Sequence, residues 1–74
     1  MNENKSEVAR LRQQIELECE SAKFALTGVS MTAQHAFITK RYENIASYQA
    51  ELGQQIGTEE AKRIVYETYV KFIG

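Results

Sequence analysis

Cys19 and His35 are the one residue pair in this chain that could work together as nucleophile and base. A thiol becomes a nucleophile when an imidazole within hydrogen-bond reach takes its proton. The chemistry also needs an exposed, electropositive setting, because the thiolate is the reactive form. Cys19 lies among Ile15, Ala22 and Leu26 at helical spacing, so it reads as a small buried hydrophobe. His35 falls on the apolar stripe of the next helical segment and reads as a polar core residue, hydrogen-bonded to backbone or to a partner. No catalytic residue is expected.

Glu16, Glu18 and Glu20, taken with His35, raise the question of a carboxylate-bridged metal inside a helical bundle. Such sites use Glu-x-x-His on paired helices, and the residue three before His35 is Thr32. One cysteine, one histidine and no aspartate fall short of a structural zinc set. There is no phosphate-binding glycine loop, nucleophile elbow or paired-cysteine motif. The expectation is no metal and no cofactor.

The stretch after Gly57 could be imagined as the recognition helix of a helix-turn-helix. There, however, Lys62, Arg63 and Lys71 are matched by Glu59, Glu60 and Glu67 on an otherwise apolar helix. Formal charge is −1 and evenly spread: residues 1–28 carry four basic and five acidic groups, 29–57 two and two, and 58–74 three and three. No segment forms the basic face that nucleic acids or anionic membranes attract. A nucleic-acid-binding regulator is kept as the alternative, since a dimer could pool Arg10, Arg12, Lys40 and Arg41. A small-molecule-binding bundle is a third reading.

The elements that would carry these residues are helices. Proline is absent and strong helix formers dominate, so breaks must be read from glycine and capping residues. Gly28, followed by Ser30 and Thr32, supplies a helix end and two candidate caps. Gly57-Thr58-Glu59-Glu60 supplies a glycine stop, a threonine N-cap and two acids where the helix dipole favours them. The predicted helices span about 4–27, 31–56 and 58–73.

Apolar stripes run through all three: Val8, Leu11, Ile15, Cys19, Ala22, Leu26 and Val29; Met31, His35, Ile38, Tyr42, Ile45, Gln49, Leu52 and Ile56; and Ala61, Ile64, Val65, Thr68 and Phe72. Two long segments with matched stripes and a short connection predict an antiparallel helical hairpin. The third helix folds back on it to give an all-α, three-helix bundle in a single domain, 1–74. His35, Tyr42 and Gln49 recur every seven residues within the second stripe and predict a polar seam that fixes register. The pairs Glu59–Arg63 and Glu67–Lys71 are favourably ordered along the third helix and are expected to aid solubility and little else.

Leu17, Phe24, Phe37, Arg41, Tyr48, Tyr66, Val70 and Ile73 are left over, and Tyr66, Val70 and Ile73 among them make the third helix apolar around most of its girth. A helix of that kind is normally buried on several sides. A chain of 74 residues buries only about 60% of its unfolded surface, and its single cysteine cannot close an internal disulfide. The eight residues are therefore expected to form an interface, completed by a second copy or by another protein. The expected function is a small non-enzymatic interaction or regulatory module. The first 30 residues lack the continuous apolar core of a secretory signal, no apolar run approaches a membrane span, and a lone thiol suits a reducing compartment. The expected location is the cytoplasm, away from membranes.

Overall fold

The structure, a computed structural model, describes residues 3–28 and 30–74. Those residues form three helices: α1 (Glu3–Gly28), α2 (Met31–Ile56) and α3 (Thr58–Phe72). The boundaries agree with the sequence reading to within a residue. Val29, assigned to the first stripe, lies outside the described residues. No helix is long and apolar enough to cross a membrane.

At the first break the Ser30 side chain accepts a bond from the Ala33 backbone N–H at 3.4 Å, satisfying one of the unpaired donors of the first turn of α2. Gly28 continues α1 and does not take a left-handed conformation. Gln34 instead reaches back from α2 to donate to the Ala25 carbonyl at 3.1 Å, filling an acceptor that the end of α1 leaves open. At the second break Thr58 is the first helical residue and not the cap. Gly57 holds the N-cap position at φ 97, ψ 150 with no side-chain bond. That region is open essentially to glycine alone, so Gly57 makes the sharp reversal possible. Glu59 and Glu60 occupy the first turn of α3, as expected from the dipole.

Contacts between α1 and α2 step backward along α2 as they advance along α1: Arg10 to Glu51 at 3.7 Å, Glu18 to Arg41 at 3.1 Å, and Ala25 to Gln34. The core is drawn from all three helices: Leu11, Ile15 and Cys19 of α1, Ile45 and Leu52 of α2, and Ala61 and Ile64 of α3. Leu11, Ile15 and Leu52 are completely removed from water, each contributing about 1.5–3 kcal/mol of transfer free energy.

The helices differ in length. At 1.5 Å per residue, the 15 residues of α3 span about 22 Å against about 39 Å for the 26 of α2. Starting from Gly57, α3 therefore lies along little more than half of the α1–α2 pair. Its final turns meet Tyr42 through a Tyr42–Tyr69 hydroxyl contact of 3.0 Å. Between its flank and α1 lies a shallow cleft of about 140 Å³, lined by Arg12 and Glu16 on one side and Ile64, Glu67, Thr68 and Lys71 on the other.

The absence of α3 beyond that point corrects the stripe assignments. Leu26, Met31, His35 and Tyr42 were placed in the core, yet all four are exposed, Met31 at 82%. Tyr42 still meets α3 through the Tyr69 hydroxyl, whereas Leu26, Met31 and His35 lie nearer the first break. Ala25, on the side of α1 facing α2, is buried instead.

Candidate functional site

Three environments gather the residues that sequence reasoning singled out. The first is the pair considered for nucleophilic chemistry. Cys19 is fully buried and His35 is exposed, so they share no site. Burial pushes the Cys19 thiol up, and the Glu18 and Glu16 carboxylates add to the shift; all three effects disfavour the thiolate. Among the described residues, no group of three or more His, Cys, Asp or Glu side chains is placed to hold a metal ion.

The second environment is a polar cluster between α1 and α2. Glu18 is nine-tenths buried. Its Oε1 lies 3.1 Å from Arg41 Nη1, outside hydrogen-bond alignment, and its Oε2 accepts from Asn44 Nδ2 at 3.2 Å. The Arg41 guanidinium also stacks over the Phe37 ring, 4.7 Å from its centroid. Arg41 was expected at an external interface; here it neutralises a carboxylate that would otherwise be costly to bury. Tyr48 and Ile73, placed in the same interface, are half-buried against the core. The other five remain exposed: Phe24 at 74%, Tyr66 at 69%, Leu17 at 48%, Val70 at 46% and Phe37 at 41%.

The third is the part of α1 and α2 around the first break, where Leu26, Met31, His35 and Tyr42 are exposed, Ala22 is buried and Ile38 is half-buried. The predicted polar seam of His35, Tyr42 and Gln49 runs along this side of α2. Among the described residues, Tyr42 is the one of the three with a side-chain hydrogen bond, to the Tyr69 hydroxyl of α3. That bond, with burial behind it, pushes the Tyr42 phenol up to about 12.

A sequence signal for this region existed and was missed. The 9 basic and 10 acidic residues of the chain all lie outside the sixteen residues from Phe24 to Thr39. A helical stretch that crosses a turn with no charge on any face is unusual for a surface bathed only by water. A separate groove of about 690 Å³, lined by Lys5, Val8, Ala9, Arg12, Gln13 and Glu16, draws all these walls from α1 and is an open furrow along one helix, unlike the enclosed cavity of a small-molecule site.

Charge pairs on α3 also differ from expectation. Arg63 is held by both Glu60 and Glu67, and Lys62 lies 3.8 Å from Glu59. Arg10 is similarly paired with Glu7. These contacts occupy three of the four arginines with carboxylates, once Arg41 is included.

Comparison of the chain with protein-family models, curated proteins and solved structures returned no match. The fold and surfaces define a class and no more: an all-α chain of three packed helices, with a closed three-helix end and an apolar, uncharged two-helix end.

Proposed function

We propose that this chain is a small, non-enzymatic interaction or regulatory protein. In this reading α1 and α2 form an antiparallel hairpin, α3 braces one end, and the molecule acts through self-association or by docking onto a protein partner in the cytoplasm. The observation that carries the reading is the density of exposed large apolar side chains on so small a chain: Leu17, Phe24, Leu26, Met31, Phe37, Tyr42, Tyr66, Tyr69 and Val70. Large apolar and aromatic side chains left in water at this density are the residue types that association surfaces use.

Light scattering coupled to size-exclusion chromatography over a concentration series tests it. A mass rising toward twice 8.5 kDa supports self-association. A constant 8.5 kDa mass directs the search to a different protein, and a folded monomer that also binds no protein would defeat the reading. The alternative, a nucleic-acid-binding regulator, has no observation of its own in favour, since Arg10, Arg41 and Arg63 are engaged by carboxylates. Salt-sensitive retention on heparin would revive it.

A further inference from the structure

We infer that the buried cluster of Glu18, Arg41 and Asn44 is the register lock of the α1–α2 pair. It selects the observed alignment of the two helices over alignments shifted by one turn, which their apolar residues and the turn between them would accept.

On α1 the buried residues Leu11, Ile15, Glu18, Ala22 and Ala25 recur at alternating intervals of four and three, the spacing that keeps one side of a helix against its neighbour. On α2 the series Gln34, Ile38, Arg41, Ile45, Tyr48 and Leu52, each buried or half-buried, has the same intervals. Glu18 and Arg41 are the one acid and the one base in these two series. They meet at 3.1 Å, and Asn44 donates to the second Glu18 oxygen at 3.2 Å.

Without that pair the register is weakly determined. Apolar positions discriminate poorly between alignments one turn apart, because leucine, isoleucine and alanine can face one another in several combinations. The turn accepts a second setting as well. Ser30 caps α2 by accepting from the Ala33 amide, and Thr32 is a second residue of the capping type. Moving the cap to Thr32 starts α2 later, lets α1 run on by a similar length and slides one helix past the other by about one turn. That slip would set Glu18 against Ile45 and Arg41 against Ala22. A slip the other way would set them against Ile38 and Ile15. Either leaves two charges in the seam without a partner, which is strongly destabilising. Both also break the Gln34 bond to the Ala25 carbonyl.

The cluster is better suited to selecting an alignment than to adding strength. Glu18 Oε1 and Arg41 Nε are buried with no hydrogen bond among the described residues. An ion pair buried with unsatisfied atoms adds little over well-packed apolar side chains. Fixing register is the best-attested reason for keeping polar groups in a helix seam at such a cost. The sequence assigned that role to His35, Tyr42 and Gln49. His35 is exposed and Tyr42 bonds to α3, so the role passes to Glu18 and Arg41, which do face each other across the seam.

Two-dimensional NMR of the full chain and three variants tests the lock. In the observed register Ala25 touches Gln34. In the register slipped toward Thr32, Ala25 touches Ile38 in its place, and Met31 and Thr32 lose their helical carbon shifts. The wild type is expected to give one set of amide resonances in the observed register, and so is Ser30→Ala, in which the lock is intact. Glu18→Leu combined with Arg41→Met is expected to keep or raise its thermal midpoint, yet to show a second, slipped set. That set should rise from under about 1% to about 10% or more of the molecules. Glu18→Gln combined with Ser30→Ala keeps the shape of the buried side chain and is expected to show the same second set, so the test stands even if the apolar pair does not fold. A single register in either combined variant, once folded, would overturn the lock. An apolar variant that loses stability and keeps one register would make the cluster an ordinary stabilising ion pair. Two registers in the wild type or in Ser30→Ala would show that the cluster does not set the alignment.

Discussion

The two ends of this molecule are built from the same pair of helices and meet opposite fates. At the end where α3 lies in the groove, Leu11, Ile15 and Leu52 are fully withdrawn from water, and Ala61 and Ile64 nearly so. At the other end the same α1 and α2 stripes continue in register, yet Leu26 and Met31 stand largely in solvent. Helix periodicity cannot distinguish the two cases. What distinguishes them is that α3 supplies about 22 Å of cover for about 39 Å of helix pair. An amphipathic stripe becomes core only where a third element reaches it.

The sharpest way to break this contrast is to truncate equivalent stripe residues at the two ends. Leu52→Ala should cost about 2–5 kcal/mol, because its cavity is walled by all three helices. Leu26→Ala should cost under about 1 kcal/mol in dilute solution. Urea unfolding of both variants checks this, and similar losses would contradict the division. Next in size are changes to the joints. Gly57→Ala forces a side chain into a positive-φ conformation and should cost about 1–3 kcal/mol, loosening the braced end in thermal melts. Arg41→Met leaves the Glu18 carboxylate buried without its cation and should also cost about 1–3 kcal/mol, with restoration in part by a second change, Glu18→Gln.

Smaller effects sharpen the picture of the open end. Ser30→Ala removes the cap on α2 and should cost about 0.5–1 kcal/mol, seen as faster amide exchange in the first turn of α2. The smallest expected effect is at the boundary. The fold favours the neutral Tyr42 phenol, with the hydroxyl bond to Tyr69 as the main cause. Its contribution is complete below the ordinary tyrosine range near pH 10 and is lost as pH rises through about 12. Tyrosinate absorbance should show a late-ionising tyrosine that disappears in Tyr42→Phe, and the variant should lose at neutral pH the small contribution of this exposed hydroxyl pair.

Much of this architecture was legible in the residues. Absence of proline, the Ser30 cap, Gly57 and the acids at 59 and 60 place the helices, and three-four spacing identifies Leu11, Ile15, Cys19, Leu52, Ala61 and Ile64 as core. What spacing could not convey is reach. A helical projection treats Met31 and Leu52 as equivalent because it contains no information about where α3 stops. The assignment of Arg41 and Tyr48 to an external face failed for a related reason: the side of α2 that carries them faces α1, and the buried Glu18 that engages Arg41 looks like another exposed acid in the run Glu16, Glu18, Glu20. The Thr58 cap failed because Gly57 itself takes the cap position. The uncovered end could have been anticipated from the uncharged run Phe24 to Thr39.

Amide hydrogen exchange, measured residue by residue at several protein concentrations, tests the central claim most directly. The account predicts that amides around Ile45, Leu52 and Ile64 exchange slowly at every concentration. Those from Ala22 to Gly28 and from Met31 to Ile38 should exchange quickly in dilute solution. Uniform protection of both ends, independent of concentration, would contradict the division of the molecule into a closed end and an open one.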